Sequence, residues 1–486
     1  MRIIFFSLFL ISQTIMFGQS KKIKLTEAIE LAKKKSPEYK AISNTTEASY
    51  WRYRNYKSDF LPQLSLKATL PEYSNATRRI INDEGQDIFV SQNQSIIDAR
   101  LNIAQQVPFT GGSLSINTQL ERIDRYGSQK SSNYSLIPFS INYFQRSIFY
   151  NPFKWDRKIE PLLFEESKRD FVEKMERISV STCNHYFGLL KAQMKLEIAK
   201  QNLSNQDTLY QIAKGRFKIG KIAENELLQM ELSHLNAKNN VTTNTILLKK
   251  TSQNLARFLG LETELIELEV PETISDFTVD VNKALEEAKN NRKAVIEFRR
   301  RRLEGEKRLA EVKGSNRLEI DVRANFGLNR RASEYDLLFQ DYDKQQNISV
   351  TLGIPIFDWG VSKSKRKMAE ADLSLINANI EQDQQEFEQE IYLHTLNWSN
   401  QRSFLATSKK AKEIGVKRYD ITKKRYILGK ITITDLNLAQ QEQDKAIFAY
   451  LNSLEKFWRD YYTLRQLTLY DFIKNEKIKV KDLLFD

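Results

Sequence analysis

The sequence predicts an α+β membrane protein in which two-faced strands alternate with very long helices. Three observations lead there: proline-free stretches with seven-residue spacing, segments of strict apolar–polar alternation, and two gapless internal alignments. Composition narrows the alternatives. The 486 residues carry 75 Lys+Arg against 62 Asp+Glu, a formal charge of +13, with 28% charged and 41% hydrophobic residues. That balance excludes collagen-like and acidic disordered chains. The single cysteine, Cys183, excludes an intramolecular disulfide framework and a cysteine zinc site. His185, His234 and His394 lie far apart, so no metal centre or cofactor is expected. The basic residues are spread along the chain without a compact basic domain, and no nucleic-acid partner is expected.

At the start, Met1-Arg2 precedes the apolar run Ile3–Ile11, and small and polar residues follow near Gly18-Gln19-Ser20. A positive start, a short apolar stretch and small residues describe an export signal, placed over 1–19. The run is too short for a comfortable transmembrane helix, and nothing later reaches about eighteen consecutive apolar residues. A membrane crossing by this chain must therefore use strands.

The long helices are located by proline. No proline occurs over 162–270 or 356–486, which permits uninterrupted helices because proline removes a helical hydrogen bond. Leu189, Leu196, Leu203, Tyr210 and Phe217 recur every seventh residue, trailed by Ala192, Ala199, Gln206 and Ala213. Trp398, Leu405, Lys412, Tyr419 and Tyr426 repeat the step later in the chain. Such spacing keeps one seam of a helix against a neighbour through supercoiling. A helix over 158–216 would be about 90 Å long at 1.5 Å per residue, and needs coiled-coil or helical-barrel packing.

Between the helices, Leu64, Leu66, Ala68 and Leu70 interleave with polar residues, as do Ile97–Ile103, Leu114–Leu120 and Phe139–Tyr143. Later, Ile320–Phe326 and Ile348–Ile354 do the same. Period two with aliphatics on one face and charges on the other fits a barrel with lipid outside and water inside. Residues 71–96, 121–133 and 329–347 are expected as long polar loops, and Pro108–Gly112 as a tight turn. Tyr134, Phe144, Phe149, Tyr150, Phe153 and Trp155 are expected at the strand-to-helix junction, as an interfacial girdle. Four to six strands cannot close a barrel, since small ones begin at about eight, so several copies must combine.

The chain is written twice. Residues 25–68 lie over 281–324 without a gap, and Arg216–Ile222 lies over Arg425–Ile431. A tandem duplication of a helix, strands and a long helical hairpin accounts for both. The resulting organisation is an export signal (1–19), a first helix (20–60), strands (61–155), a long hairpin (156–260) and a connector (261–280). A second helix (281–316), strands (317–358), a second hairpin (359–468) and a tail (469–486) complete it.

Five pieces in this order, LTEAIELAKKKSPE with FLPQLSL, RFKIGKIAENELLQMEL, LGIPIFDWG and RYILGKITITDLNLAQ, resemble the TolC family of outer-membrane efflux channels from about Leu25 to Tyr470. QQVPFTGG and NPFKWDRKIEPL look like a branch common in Bacteroidetes. The resemblance implies a homotrimer: a β-barrel of four or six strands per protomer, continuous with an α-helical coiled-coil barrel crossing the periplasm. It also implies a passive duct for efflux or type I secretion, embedded in outer-membrane lipid and without enzymatic activity. Its partners would be a periplasmic adaptor and an inner-membrane transporter of RND, ABC or MFS type. Two departures stand out: Arg146–Phe149 replaces a usual Gln-Pro pair, and the Ile97–Leu120 hairpin is extra. The rival reading is a secreted coiled-coil structural or adhesion protein.

Gly220 and Gly429 stand where each long helix must reverse, and glycine suits the left-handed turn required. Arg216 and Arg425 fall in the last turn, favourable against the helix dipole. By resemblance these loops, with Lys221 and Lys430, form the periplasmic end and dock the adaptor. Glu226 and Asp435 hold equivalent positions beyond the turns. Asp435 matches a family aspartate at the pore constriction, whereas a second family aspartate falls on Leu438 and an arginine on Ile431. The expected gate is thin and apolar with one acidic ring, in which neighbouring charges would raise the carboxyl pKa.

Overall fold

Helices of matched length recur in the same order through the chain. In the computed structural model, which describes residues 22–126, 130–262, 265–274, 277–316 and 318–479, α1 (Leu25–Lys35) and α5 (Val281–Asn291) have 11 residues each. Helices α2 (Pro37–Ser58) and α6 (Lys293–Ser315) have 22 and 23. Helices α3 (Pro152–Lys218) and α7 (Val361–Ile427) have 67 each, and α4 (Glu224–Leu259) and α8 (Ile433–Thr468) have 36 each. The expected export signal over 1–19 lies outside the described residues.

The single helices expected over 20–60 and 281–316 are each broken in two. Ser36 and Arg292 end the first pieces with nearly the same extended backbone, φ −61°, ψ 149° and φ −71°, ψ 148°. Pro37 explains the first break, because a residue before proline avoids the helical region. No proline follows Arg292. There the chain is held by tertiary bonds: Asn291 donates to the Thr468 carbonyl at 3.2 Å, and Arg292 pairs with Glu173 at 2.8 Å and Glu390 at 3.2 Å.

Helix α3 starts earlier than proline counting indicates. Its first residue is Pro152, whose missing N–H costs nothing there, and the Asn151 side chain accepts from the Lys154 N–H at 3.3 Å. Pro161 sits inside the helix. The seven-residue seam also drifts. Leu189 and Leu196 are buried, but Phe217 is exposed, and Leu209 and Ala213 are the buried pair near the end of α3. A straight helix at 3.6 residues per turn falls out of step with a seven-residue repeat.

Six strands form one antiparallel sheet in chain order: β1 (Gln63–Ile81), β2 (Asp87–Val107), β3 (Gly112–Tyr126), β4 (Ser131–Gln145), β5 (Glu319–Ala332) and β6 (Asp343–Gly353). Most of the supposed loop 71–96 is strand, since β1 and β2 remain paired out to Ile81 and Asp87. Pro71 is accommodated by a register shift between Thr69 and Glu72 on the edge strand, where a missing N–H harms no ladder. Likewise 121–126 and 329–332 continue their strands, and a 3₁₀ turn (Asp336–Phe339) precedes β6. Tyr134 is not at the helix junction. It pairs with Ala332 toward the far end of the sheet and meets the Tyr335 ring at 6.0 Å. Phe153 does pack at the helix end, edge-on to Phe60 at 5.5 Å. Ser147, in the segment replacing Gln-Pro, has φ 42° and donates its N–H to Asp321 at 3.0 Å.

The described residues divide into two compact units. One comprises 46–169 and 293–387, with the sheet. The other comprises 22–45, 170–292 and 388–479, and is helical. Inside the helical unit Glu176 is buried between Lys33 at 2.6 Å and Arg465 at 2.9 Å. Arg465 also meets Asp471 at 2.5 Å, tying α8 to the segment after it. Burial would raise the Glu176 carboxyl, but the two cations hold it below the ordinary range. Cys183 is fully buried and its thiol is pushed up by desolvation. His185 stacks on Phe258 at 4.4 Å, while His394 meets the Asp460 carbonyl at 2.8 Å.

Candidate functional site: the hairpin turns and the two-faced sheet

Both long hairpins turn in the same way. Gly220 and Gly429 have φ 69° and 70°. Lys221 N–H reaches the Arg216 carbonyl at 2.9 Å and Gly220 N–H the Phe217 carbonyl at 2.9 Å; Lys430 to Arg425 and Gly429 to Tyr426 repeat this at 3.0 and 2.9 Å. These paired six-to-one and five-to-two bonds are the Schellman closure that a left-handed glycine permits. Beneath the turns a shared core gathers Leu209, Ala213 and Met230 of one hairpin with Tyr419, Tyr426 and Leu436 of the other. Asn205 donates to the Tyr419 hydroxyl at 3.2 Å and accepts from Lys423 at 2.7 Å, binding α3 to α7.

The two arginines expected in equivalent roles differ. Arg216 crosses to the second hairpin, donating to the Ile427 carbonyl at 3.0 Å with its guanidinium 5.7 Å from the Tyr426 ring centre. It therefore satisfies a carbonyl at the end of α7 that α7 cannot satisfy itself. Arg425 is exposed. Lys221, Lys430 and Glu226 are exposed too, as are Ile219 and Leu428 beside the two glycines.

The two acidic positions also part company. Asp435 is the third residue of α8 and closes a capping box: its N–H reaches the Thr432 hydroxyl at 3.3 Å, and its carboxylate accepts from the Thr432 N–H at 3.1 Å and hydroxyl at 2.7 Å. Those bonds, with a smaller contribution from Arg425, hold the Asp435 carboxyl below its ordinary range in the single chain. At the equivalent position of the first hairpin the cap residue is Ala223, which has no hydroxyl, so Glu226 closes no box. Its charge instead lies near Tyr426, whose hydroxyl is raised by burial and further by Glu226, against Arg216. The spacing Thr432-x-x-Asp435 before an apolar run is a readable helix-start signal that the gate reading passed over.

The sheet presents a second functional surface. Reading across the ladder, Leu64, Ile103, Ile116, Ile141 and Phe326 form one row on one face. On the other face Ser115, Asn142, Asn325 and Asn347 align, with Asn325 bonded to Asn142. Lys67, Arg100 and Gln119 form another polar row, Arg100 donating to Gln119 at 2.9 Å. Apolar side chains of the first face are exposed on every strand, from Leu66 on β1 through Phe326 on β5 to Leu352 on β6. Among the described residues no helix is long and apolar enough to cross a membrane, and no group of His, Cys, Asp and Glu is placed to hold a metal ion.

Residues 318–468 match the family model described as outer membrane efflux protein. No curated protein matches the sequence. The fold is shared with solved outer-membrane channels at low identity. The Campylobacter jejuni CmeC outer membrane channel superposes with a TM-score of 0.66 at 15% identity, over 95% of this chain and 90% of that one. The Vibrio cholerae outer membrane protein VceC gives 0.63 at 14%, over 91% and 95%. The open state of the Neisseria gonorrhoeae MtrE outer membrane channel gives 0.62 at 12%, over 91% and 88%. The family and these neighbours are transport proteins rather than enzymes, in agreement with the resemblance read from the sequence.

Proposed function

Taking residues 318–468 as an outer membrane efflux protein domain, we propose that the chain is a passive export duct of the outer membrane. Three copies enclose a barrel in the lipid and a helical conduit below it, and the two halves of each chain arose by tandem duplication. The matched helix lengths and the identical turns at Gly220 and Gly429 support the duplication. One observation carries the membrane reading: the largely apolar face that runs across six strands, backed by a face of amides and charges. A bilayer accepts such a sheet only closed on itself, apolar side outward. An adhesion rod has no use for that face.

In this reading the turns form the periplasmic end. Arg216, Gly220, Lys221, Arg425, Gly429 and Lys430 lie at the mouth where a periplasmic adaptor docks, and an inner-membrane transporter supplies the energy for either efflux or type I secretion. Asp435 and Glu226 stand at the constriction with the exposed Leu428 and Leu438. Three Asp435 carboxylates around one axis would repel one another and oppose the lowering by Thr432. The mature chain, purified in detergent, is expected to run as a trimer by native mass spectrometry and to conduct ions in planar bilayers. A monomer that never conducts would refute the reading.

A further inference from the structure

We infer that the barrel closes with all six strands of each copy, β1 of one chain pairing with β6 of the next. Three copies of the six-stranded sheet then make a barrel of eighteen strands. The inference rests on the trimer proposed above and concerns what that trimer encloses.

The edges support it. With an even number of alternating strands, β1 and β6 run in opposite directions, so a head-to-tail ring is antiparallel at every joint. Such a heterologous contact closes when the rotation returns to its start. Both edges sit at the depth of the aliphatic band, because the ladder links Gln63 at the start of β1 through Ala104, Ser115, Asn142 and Asn325 to Asn347 on β6. An open edge there would leave backbone N–H and C=O groups in hydrocarbon, which a membrane does not tolerate.

Exposure points the same way. On the apolar face, Ile116 and Ile141 of inner strands are 40% and 39% exposed, while Leu64 and Leu66 of β1 reach 67% and 71% and Ile348 of β6 reaches 78%. A lateral neighbour is what the edge side chains lack. Register, not length, excludes the smaller ring. Twelve strands would require β3 as the edge or β1 beside β4, yet β2 pairs along its length with both β1 and β3, and β3 with β4.

Strand number sets width. With strands about 4.8 Å apart and tilted about 40°, eighteen enclose a cylinder about 36 Å across between backbones, and twelve about 24 Å. Barrels of sixteen to eighteen strands hold an aqueous channel. The face turned inward carries Asn142, Asn325 and Asn347 with Lys67, Arg100 and Asp98, so the barrel would enclose a wider polar lumen than a twelve-strand ring.

Cysteine crosslinking in the full-length trimer tests the joint. Ser65→Cys on β1 is combined in turn with Asn347→Cys, Ser349→Cys and Thr351→Cys on β6, and Ser115→Cys on β3 is combined with the same three. The native Cys183, being buried, does not compete. On oxidation in membranes at least one β1–β6 combination is expected to give covalent dimers and trimers on denaturing gels, and the β3–β6 combinations none. An intact trimer by native mass spectrometry in which no β1–β6 pair crosslinks overturns the eighteen-strand closure, whatever β3 does. Loss of the trimer in the unsubstituted chain overturns the earlier reading instead.

Discussion

The Arg216 guanidinium donates to the Ile427 carbonyl across 3.0 Å, so the last turn of α7 is completed by a side chain from α3. The same group lies 5.7 Å from the Tyr426 ring centre. Its duplicate in the second hairpin, Arg425, is exposed. Equivalent sequence positions thus do unequal work. Removing Arg216 by Arg216→Ala is expected to destabilise the helical unit by about 1 kcal/mol, from a lost charge-to-carbonyl bond and cation–π contact. Arg425→Ala should have a clearly smaller effect. Urea midpoints in detergent compare the two, and equal losses would remove Arg216 from this capping role.

The turns themselves depend on left-handed backbone. Gly220→Ala and Gly429→Ala each force a side chain into φ near 70°, which costs about 1–2 kcal/mol. Space is not the obstacle, because a Cβ at Gly220 meets nothing within 4 Å. Thermal melting should show a loss at both positions of similar size.

Asp435 tests the gate. If it lines the constriction, Asp435→Ala lowers cation selectivity in planar bilayers, whereas Thr432→Ala, which removes the hydroxyl of the capping box, costs about 0.5–2 kcal/mol and leaves a carboxylate in place. Selectivity retained in Asp435→Ala would limit this residue to its helix cap.

Glu176 confers acid sensitivity. Its folded carboxyl lies below the ordinary value, so the stabilisation is complete above about pH 4.3, the unfolded value. It disappears as pH falls further, through the lower folded value. Glu176→Gln leaves Lys33 without its buried anion and Arg465 with Asp471 alone, and breaking such a buried pair costs about 3–5 kcal/mol. The variant should be weaker at neutral pH and should lose less on acidification. An unchanged acid limb would assign that limb to other carboxylates.

The two faces of the sheet separate cleanly by substitution. Arg at Ile116 places a charge on the aliphatic face and is expected to cost about 2–4 kcal/mol near mid-membrane. Ile116→Arg should therefore reduce the yield of folded trimer in vesicles, while Asn117→Arg on the opposite face is tolerated. Equal yields would contradict the assignment of faces.

Local chemistry was legible from the sequence. Alternation at Leu64–Leu70 and Ile348–Ile354, the glycine turns at Gly220 and Gly429, and the seam through Leu189 and Trp398 rest on side-chain periods or backbone freedom within a few residues. Tertiary structure decided the rest. Polar residues such as Asn75 and Ser91 read as loop, yet they pair across β1 and β2 because strand extent depends on a partner's hydrogen bonds. The helix break at Arg292 has no local cause and follows from Glu173 and Glu390, distant in sequence. Arg216 and Arg425 are the same residue in matching motifs, and only the approach of α7 gives one of them a carbonyl to cap. Periodicity is carried by neighbours along the chain; partnership depends on neighbours in space.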